Sequence, residues 1–337
     1  MEKPTSAPLN QFRAWSRSRL INRLLAVREL GVLIAALLIA LVFSATAPAF
    51  STTYNLMNLL RQTAELGIVA MAMTILIISG EFDLSVGAIY AVTGVVTGLL
   101  VKDHDWNIWM AVPVGLGVAL LLGLVNGLLT TKTMIHSFIA TLSSMMVFRG
   151  IAMVLSKGWP ISAFPASNFF QVVGRYKLFD RAPIPILWMV IWGLLMYMLL
   201  HRTSYGVKVF ATGDNKEAAR LAGINTNRVK MINFLITALA AGISGIISMA
   251  YLKSVTPTQG TGMELEAIAA AVIGGTALSG GIGSIPGTFL GAFIMAEVRT
   301  GLVLLGTDAY VQDAFVGLVI AAAVIINVQI GRRRRVS

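Results

Sequence analysis

The chain contains no cysteine, which excludes a disulfide framework, a thiolate metal site and a thiol nucleophile. Charge is scarce as well: 12% of the 337 residues are Asp, Glu, Lys or Arg, against roughly 25% in soluble globular domains. No Gly-x-x-x-x-Gly-Lys-Ser/Thr sequence occurs, so no Walker-type nucleotide site is expected. With neither a metal-ligand cluster nor a nucleophile–base pair in evidence, a membrane enzyme is a distant reading.

What the chain has in abundance is apolar sequence. Hydrophobic residues make up 56% of it, and its mean hydropathy is +0.79. The apolar runs are continuous rather than alternating, which predicts a polytopic, all-α membrane protein and not a barrel. Ten crossings are expected, near 30–48, 64–79, 83–101, 110–129, 135–155, 184–200, 231–252, 265–279, 286–305 and 311–328. The basic segment 1–29 shows no cleavable signal, and the membrane domain 30–330 is followed by a basic tail, 331–337.

The net charge of +11 has a topological explanation. With both termini cytoplasmic, 17 of the 26 Lys and Arg fall on inside segments and seven outside, in line with the positive-inside rule. Nucleic acid is therefore not an expected partner. The longest outer segment, 156–183, carries Trp159, Phe164, Phe169, Phe170 and Tyr176, an interfacial belt capping the bundle or a docking surface for an external partner.

Two acidic triplets share one offset: Glu81 and Asp83 in Gly80–Gly87, and Glu264 and Glu266 in Met263–Ala269, lie 183 residues apart pairwise. Each is followed by a GxxxG pair, Gly123/Gly127 and Gly287/Gly291. This pattern predicts an inverted repeat relating about 64–155 to 231–328. Carboxylates opening a helix serve as caps or face a path, where Glu81, Asp83, Ser85, Glu264 and Glu266 would meet solute or a coupling cation. Asn126, Thr141, Ser143 and Ser144 offer further polar groups, as path lining or as interhelical glue. The ionisable residues inside spans are Glu65, Arg149, Glu297 and Arg299, and an Arg149–Glu297 bridge is expected to tie the fifth span to the ninth.

Between the halves lies a polar inside segment, 201–230, containing Gly213-Asp-Asn-Lys-Glu-Ala-Ala-Arg-Leu-Ala-Gly223. A short helix is expected there, N-capped at Asp214 and closed by Gly223, with a small apolar face that fits a partner's groove.

Five stretches in this order, GEFDLSVGA, GLVNGLLTTK, SFIATLSSM, GDNKEAARLAGI and ELEAIAAAVIGGTALSGGIGSIPGTFLGA, resemble the permease subunits of ABC-type simple-sugar importers, the ribose/xylose/autoinducer-2 branch. The resemblance runs from about Asn55 to Asn327. It departs where the family often has Gly-Gly-Ile-Asp and this chain has Gly80-Glu81-Phe82-Asp83, and at His136, where Pro is common.

The resemblance implies a translocation path in the bacterial inner membrane. Two cytoplasmic ATP-binding-cassette subunits would use ATP and Mg2+, with no cofactor in this chain. A second permease copy or paralogue, an external solute-binding protein and a small polar solute, a monosaccharide, complete the expected system. It also implies an EAAxxxG coupling loop at Glu217, Ala218, Ala219 and Gly223, flanked by Gly213, Asp214 and Asn215. A branched-chain amino-acid permease and an ion-coupled secondary carrier stand as alternatives.

Overall fold

The computed structural model describes residues 28–133, 135–308, 311–319, 321–322 and 325. Most of the expected N-terminal basic segment and all of the C-terminal tail lie outside them.

Eleven α-helices follow in order among the described residues up to Leu304. These are α1 Arg28–Thr46, α2 Thr53–Ile78, α3 Val86–Lys102, α4 Ile108–Lys132, α5 Ser137–Ser156 and α6 Pro185–Arg202, then α7 Ser204–Asp214, α8 Lys216–Leu221, α9 Thr226–Leu252, α10 Met263–Ile273 and α11 Ile285–Leu304. Residues 311–319 are also helical. Local chemistry sets the starts: Thr52 accepts from Asn55 N–H, Asn107 from Trp109 N–H, Asn225 from Arg228 N–H and Ser284 from Gly287 N–H.

Seven helices among the described residues are long and apolar enough to cross a membrane, and α3 is a shorter apolar one. The crossing expected at 265–279 is not one continuous helix. Its helix is α10, with 11 residues, about 16 Å long and only half of a roughly 30 Å hydrocarbon core. The chain before α10 is not helical: Ser254–Val255 form a strand and residues 257–262 run through turns. Val255 lies against Gly94 and Gly98 of α3, and Gly260 against Gly87. Glycines at 87, 94 and 98 share one helix face, and the missing side chains make room for non-helical backbone beside α3. Such backbone is tolerated at membrane depth when protein encloses it.

In the packing, α2 and α9 lie against each other at the centre. Each also touches α3, α10 or both, with α4 on α9 and α11 on α2. By contrast α1, α4, α5 and α6 turn apolar side chains outward, among them Leu41, Leu121, Met146 and Leu194. The GxxxG glycines serve close packing: Gly123 meets Phe234 and Ala238 of α9, and Gly291 meets the Ala270 carbonyl of α10.

The aromatic segment between α5 and α6 divides in two. Phe169 and Phe170 are buried, with Phe169 edge-on to Trp109 at 5.2 Å and Phe170 stacked on Phe164 at 5.7 Å. Trp159, Tyr176 and Phe179 stay exposed. Short strands pin the segment down, β1 Ile161–Ser162 pairing antiparallel with β4 Ser254–Val255, and β2 Lys177–Leu178 with β3 Ala182–Pro183.

Candidate functional site

Helix α2 stops at Ile78 because Gly80 adopts φ +84°, a left-handed cap in which Gly80 N–H donates to Ile77 O and Glu81 N–H to Leu76 O. Five residues then run without helix to Ser85, just before α3. Their backbone is satisfied from α5: Phe82 N–H donates to Ser137 Oγ at 3.1 Å and Leu84 N–H to Thr141 Oγ1 at 3.0 Å. Asp83, fully buried, accepts from Ser85 N–H at 2.8 Å and Ser85 Oγ at 2.7 Å. Asn126 Nδ2 donates to both Asp83 oxygens at 3.2 Å and to Ser85 Oγ at 2.7 Å. Three separate sequence motifs thus converge on one break, and Asp83, Ser85 and Asn126 form one buried cluster.

The second acidic stretch meets the first. Glu264 is buried at the start of α10, and its Oε2 would lie 2.6 Å from a Cβ placed on Gly87. Glu264 Oε1 accepts from Gly262 N–H at 3.2 Å. Glu266 takes a different course, pairing with Arg299 at 2.8 Å. Ser143 does not join the cluster: it is exposed and its hydroxyl donates to Ile139 O. Ser144 is buried on the same helix.

The expected Arg149–Glu297 bridge is corrected. Arg149 Nη1 donates to the carbonyls of Pro257 at 2.7 Å and Gln259 at 2.9 Å. The non-helical segment 253–262 leaves carbonyls that no helix satisfies, and a guanidinium supplies the donors. Glu297 is buried elsewhere, with Oε2 unpartnered. Glu65 is paired one turn away with Arg61 at 2.5 Å, and Arg61 lies 4.4 Å from the Tyr251 ring centre.

In the polar segment between α6 and α9, the helix cap sits one residue beyond the expected Asp214. Asp214 ends α7, and Asn215 caps α8 by accepting from Ala218 N–H at 3.0 Å. Gly223, at φ +82°, closes α8. Its N–H donates to Arg220 O and that of Ile224 to Ala219 O. Ala219 turns inward, whereas Glu217, Ala218, Ala222 and Leu221, 90% exposed, face out. A leucine so exposed on a rigidly capped helix gains nothing from its own chain.

This segment is tied to the first break. Gly213 sits so close to Ile78 O and Gly281 N that a Cβ would overlap both, and Gly281 N–H donates to Ile78 O at 2.9 Å. Lys230, one turn into α9, forms an ion pair with Glu81, both side chains largely buried. A cleft of about 750 Å³ opens beside this pair, lined also by Thr130, Ser137, Lys216 and Arg220. Nothing in the local pattern around Lys230 marked it; Gly281 and Ser137 lay within quoted motifs, but neither was tied to this break.

Residues 55–324 match the family described as the branched-chain amino acid transport system / permease component. The chain is similar to the ribose import permease protein RbsC of Bacillus subtilis, 39% identical over 302 residues, covering 89% of this chain and 93% of that one. It is equally similar to RbsC of Escherichia coli K12, 39% over 300 residues, covering 88% and 92%. It also resembles the xylose/arabinose import permease protein XylH of Sulfolobus acidocaldarius, 35% over 307 residues, covering 89% and 84%. With a family match across most of its length and relatives at this identity, the chain belongs to that family of transport-system permease components.

Proposed function

We propose that this chain is the transmembrane subunit of an ATP-binding-cassette importer that carries a monosaccharide or similar small polar solute through the bacterial inner membrane. As a permease component it leaves ATP hydrolysis to separate subunits. The observation that carries the reading is α8: a six-residue helix, capped at both ends, holding Leu221 and Ala218 out to solvent beside Glu217. A helix this short does not persist unaided, and its outward apolar face fits a groove on a partner. The names of the relatives favour a pentose-like sugar over a branched-chain amino acid.

The finer architecture belongs to the same proposal. Ten crossings with both termini inside put α8 and the Gly80–Ser85 break on the cytoplasmic side. The packing supports an inverted repeat: α4 lies on α9 as α11 lies on α2, α3 meets α9 as α10 meets α2, and α3 packs on α4 as α10 on α11. Two ATPase subunits, a second permease and an external binding protein complete the machine. For the last of these, Trp159, Tyr176 and Phe179 present an exposed aromatic surface on a pinned loop. Asp83, Ser85, Asn126, Glu264 and Glu266 line or brace the path, with Gly213, Asp214, Asn215, Glu217, Ala218, Ala219 and Gly223 coupling it to ATP.

The test is uptake of radiolabelled ribose into proteoliposomes holding the chain, its ATPase and its binding protein. ATP-dependent uptake, lost in Glu217→Ala/Gly223→Leu with membrane insertion intact, is the expected result. Uptake without ATP would identify an ion-coupled carrier, and competition by leucine instead of pentoses would identify an amino-acid permease.

A further inference from the structure

The coupling segment touches the first break at two points. One is Gly213 against Ile78 and Gly281; the other is the Lys230–Glu81 ion pair. Both fall within four residues, Ile78 to Glu81, although Glu81 and Lys230 are 149 positions apart in the chain. The first joint is steric, a glycine with no room for a side chain. The second is electrostatic and nearly dry, so it holds its partners more firmly than an exposed pair would.

The charges around the pair make it asymmetric. Among the described residues lining the cleft, Glu81 is the only carboxylate; the other charged ones, Lys216 and Arg220, are cations, and Arg220 also pairs with Glu217 at 3.7 Å. Remove Glu81 and Lys230 loses its carboxylate partner in a cleft whose other charged lining residues are cations; remove Lys230 and the same cleft still offers Glu81 basic side chains. Because its carboxylate is already engaged, Glu81 is not free to receive solute. What it holds instead is the break: two residues on, Asp83 closes the buried network with Ser85 and Asn126, and Phe82 and Leu84 hang on α5 hydroxyls.

We propose that Glu81 and Lys230 are positioning residues for transport, the latch through which movement of α8 and α9 is passed to the Gly80–Ser85 break. The proposal rests on the reading of α8 as the seat of an ATPase. When the ATPases pull α8, Lys230 carries Glu81 with it, and the Asp83–Asn126 cluster and the cleft rearrange together. Loss of the latch leaves hydrolysis running without that rearrangement.

The absence of cysteine in this chain lets it be labelled at introduced cysteines alone before assembly with its partners. Asn227 and Ile135 both line the cleft, on α9 and just before α5. Nitroxides on Asn227→Cys and Ile135→Cys, in the full complex with and without ATP and vanadate, report the cleft's width by pulsed electron resonance. In the otherwise wild-type chain the separation changes by several ångströms with nucleotide. In Glu81→Gln that change is lost while ATP hydrolysis stays within twofold; Lys230→Met loses it less completely. The swap Glu81→Lys/Lys230→Glu restores it.

Single variants that keep the full nucleotide-dependent change overturn the latch alone. If the single variants fail to assemble, the swap decides: recovery of assembly and movement supports the latch, and recovery of neither overturns it. A wild-type complex whose separation ignores nucleotide overturns the ATPase-driven reading and the latch with it.

Discussion

Arg149 donates to two main-chain carbonyls 108 and 110 positions away, Pro257 and Gln259. An arginine in an apolar helix needs acceptors, and in sequence Glu297 looked like the available one because both fell in the outer halves of their spans. A non-helical segment leaves carbonyls that satisfy the guanidinium equally well, and sequence does not advertise them. Arg149→Met should therefore cost about 1.5–3 kcal/mol, the range for hydrogen bonds to a charged donor. Glu297→Gln should be close to neutral. In a double-mutant cycle on thermal stability in detergent, the coupling between the two should stay under about 0.5 kcal/mol, as for independent sites; a larger value would restore the bridge. Asn126→Leu is the opposite case, because it strips two donated hydrogen bonds from the buried Asp83 carboxylate. A loss of about 1–3 kcal/mol is expected, visible as a lowered melting temperature.

At the scale of the element, α8 shows how local chemistry sets a functional unit. Six residues cannot form a stable helix on propensity alone, so Asn215 at one end and Gly223 at the other decide whether it exists. Asn215→Ala should cost about 1 kcal/mol of helix stability and weaken ATPase binding, measured by co-purification, without altering insertion. Leu221→Asp should weaken the same binding with the helix intact, because it changes only the exposed face. The cap fell one residue from its expected place for a plain reason: Asp214 and Asn215 are both good caps, and continuation of α7 through Asp214 leaves the role to its neighbour. The Gly80 turn is held equally locally. Gly80→Val should strain the left-handed backbone by about 1–2 kcal/mol and loosen the break that Ser137 and Thr141 support.

For the molecule as a whole, the loop between α5 and α6 is half anchor and half surface. Buried Phe169 and Phe170 fix it to the bundle, leaving Trp159 and Phe179 presented. Trp159→Ser/Phe179→Ser should leave the melting temperature unchanged and reduce uptake only where the binding protein is required; equal loss of stability would mark these rings as packing.

Much of this protein was legible in sequence because the relevant signals are local. Run length and hydropathy determined an all-α membrane bundle, lysine and arginine placement gave its expected orientation, and the polar Gly213–Gly223 stretch marked the short exposed helix α8. The equal spacing of the two acidic triplets is the sequence basis of the proposed inverted repeat. The stretch expected to cross at 265–279 as one helix is shorter because apolar composition does not distinguish a continuous helix from a half-helix preceded by non-helical chain. Tertiary structure alone decided which charges meet: Lys230 with Glu81, Glu266 with Arg299, Arg149 with bare carbonyls. Helix formation follows from neighbours within a few residues, whereas a buried charge takes whatever partner the packing brings to it from far along the chain.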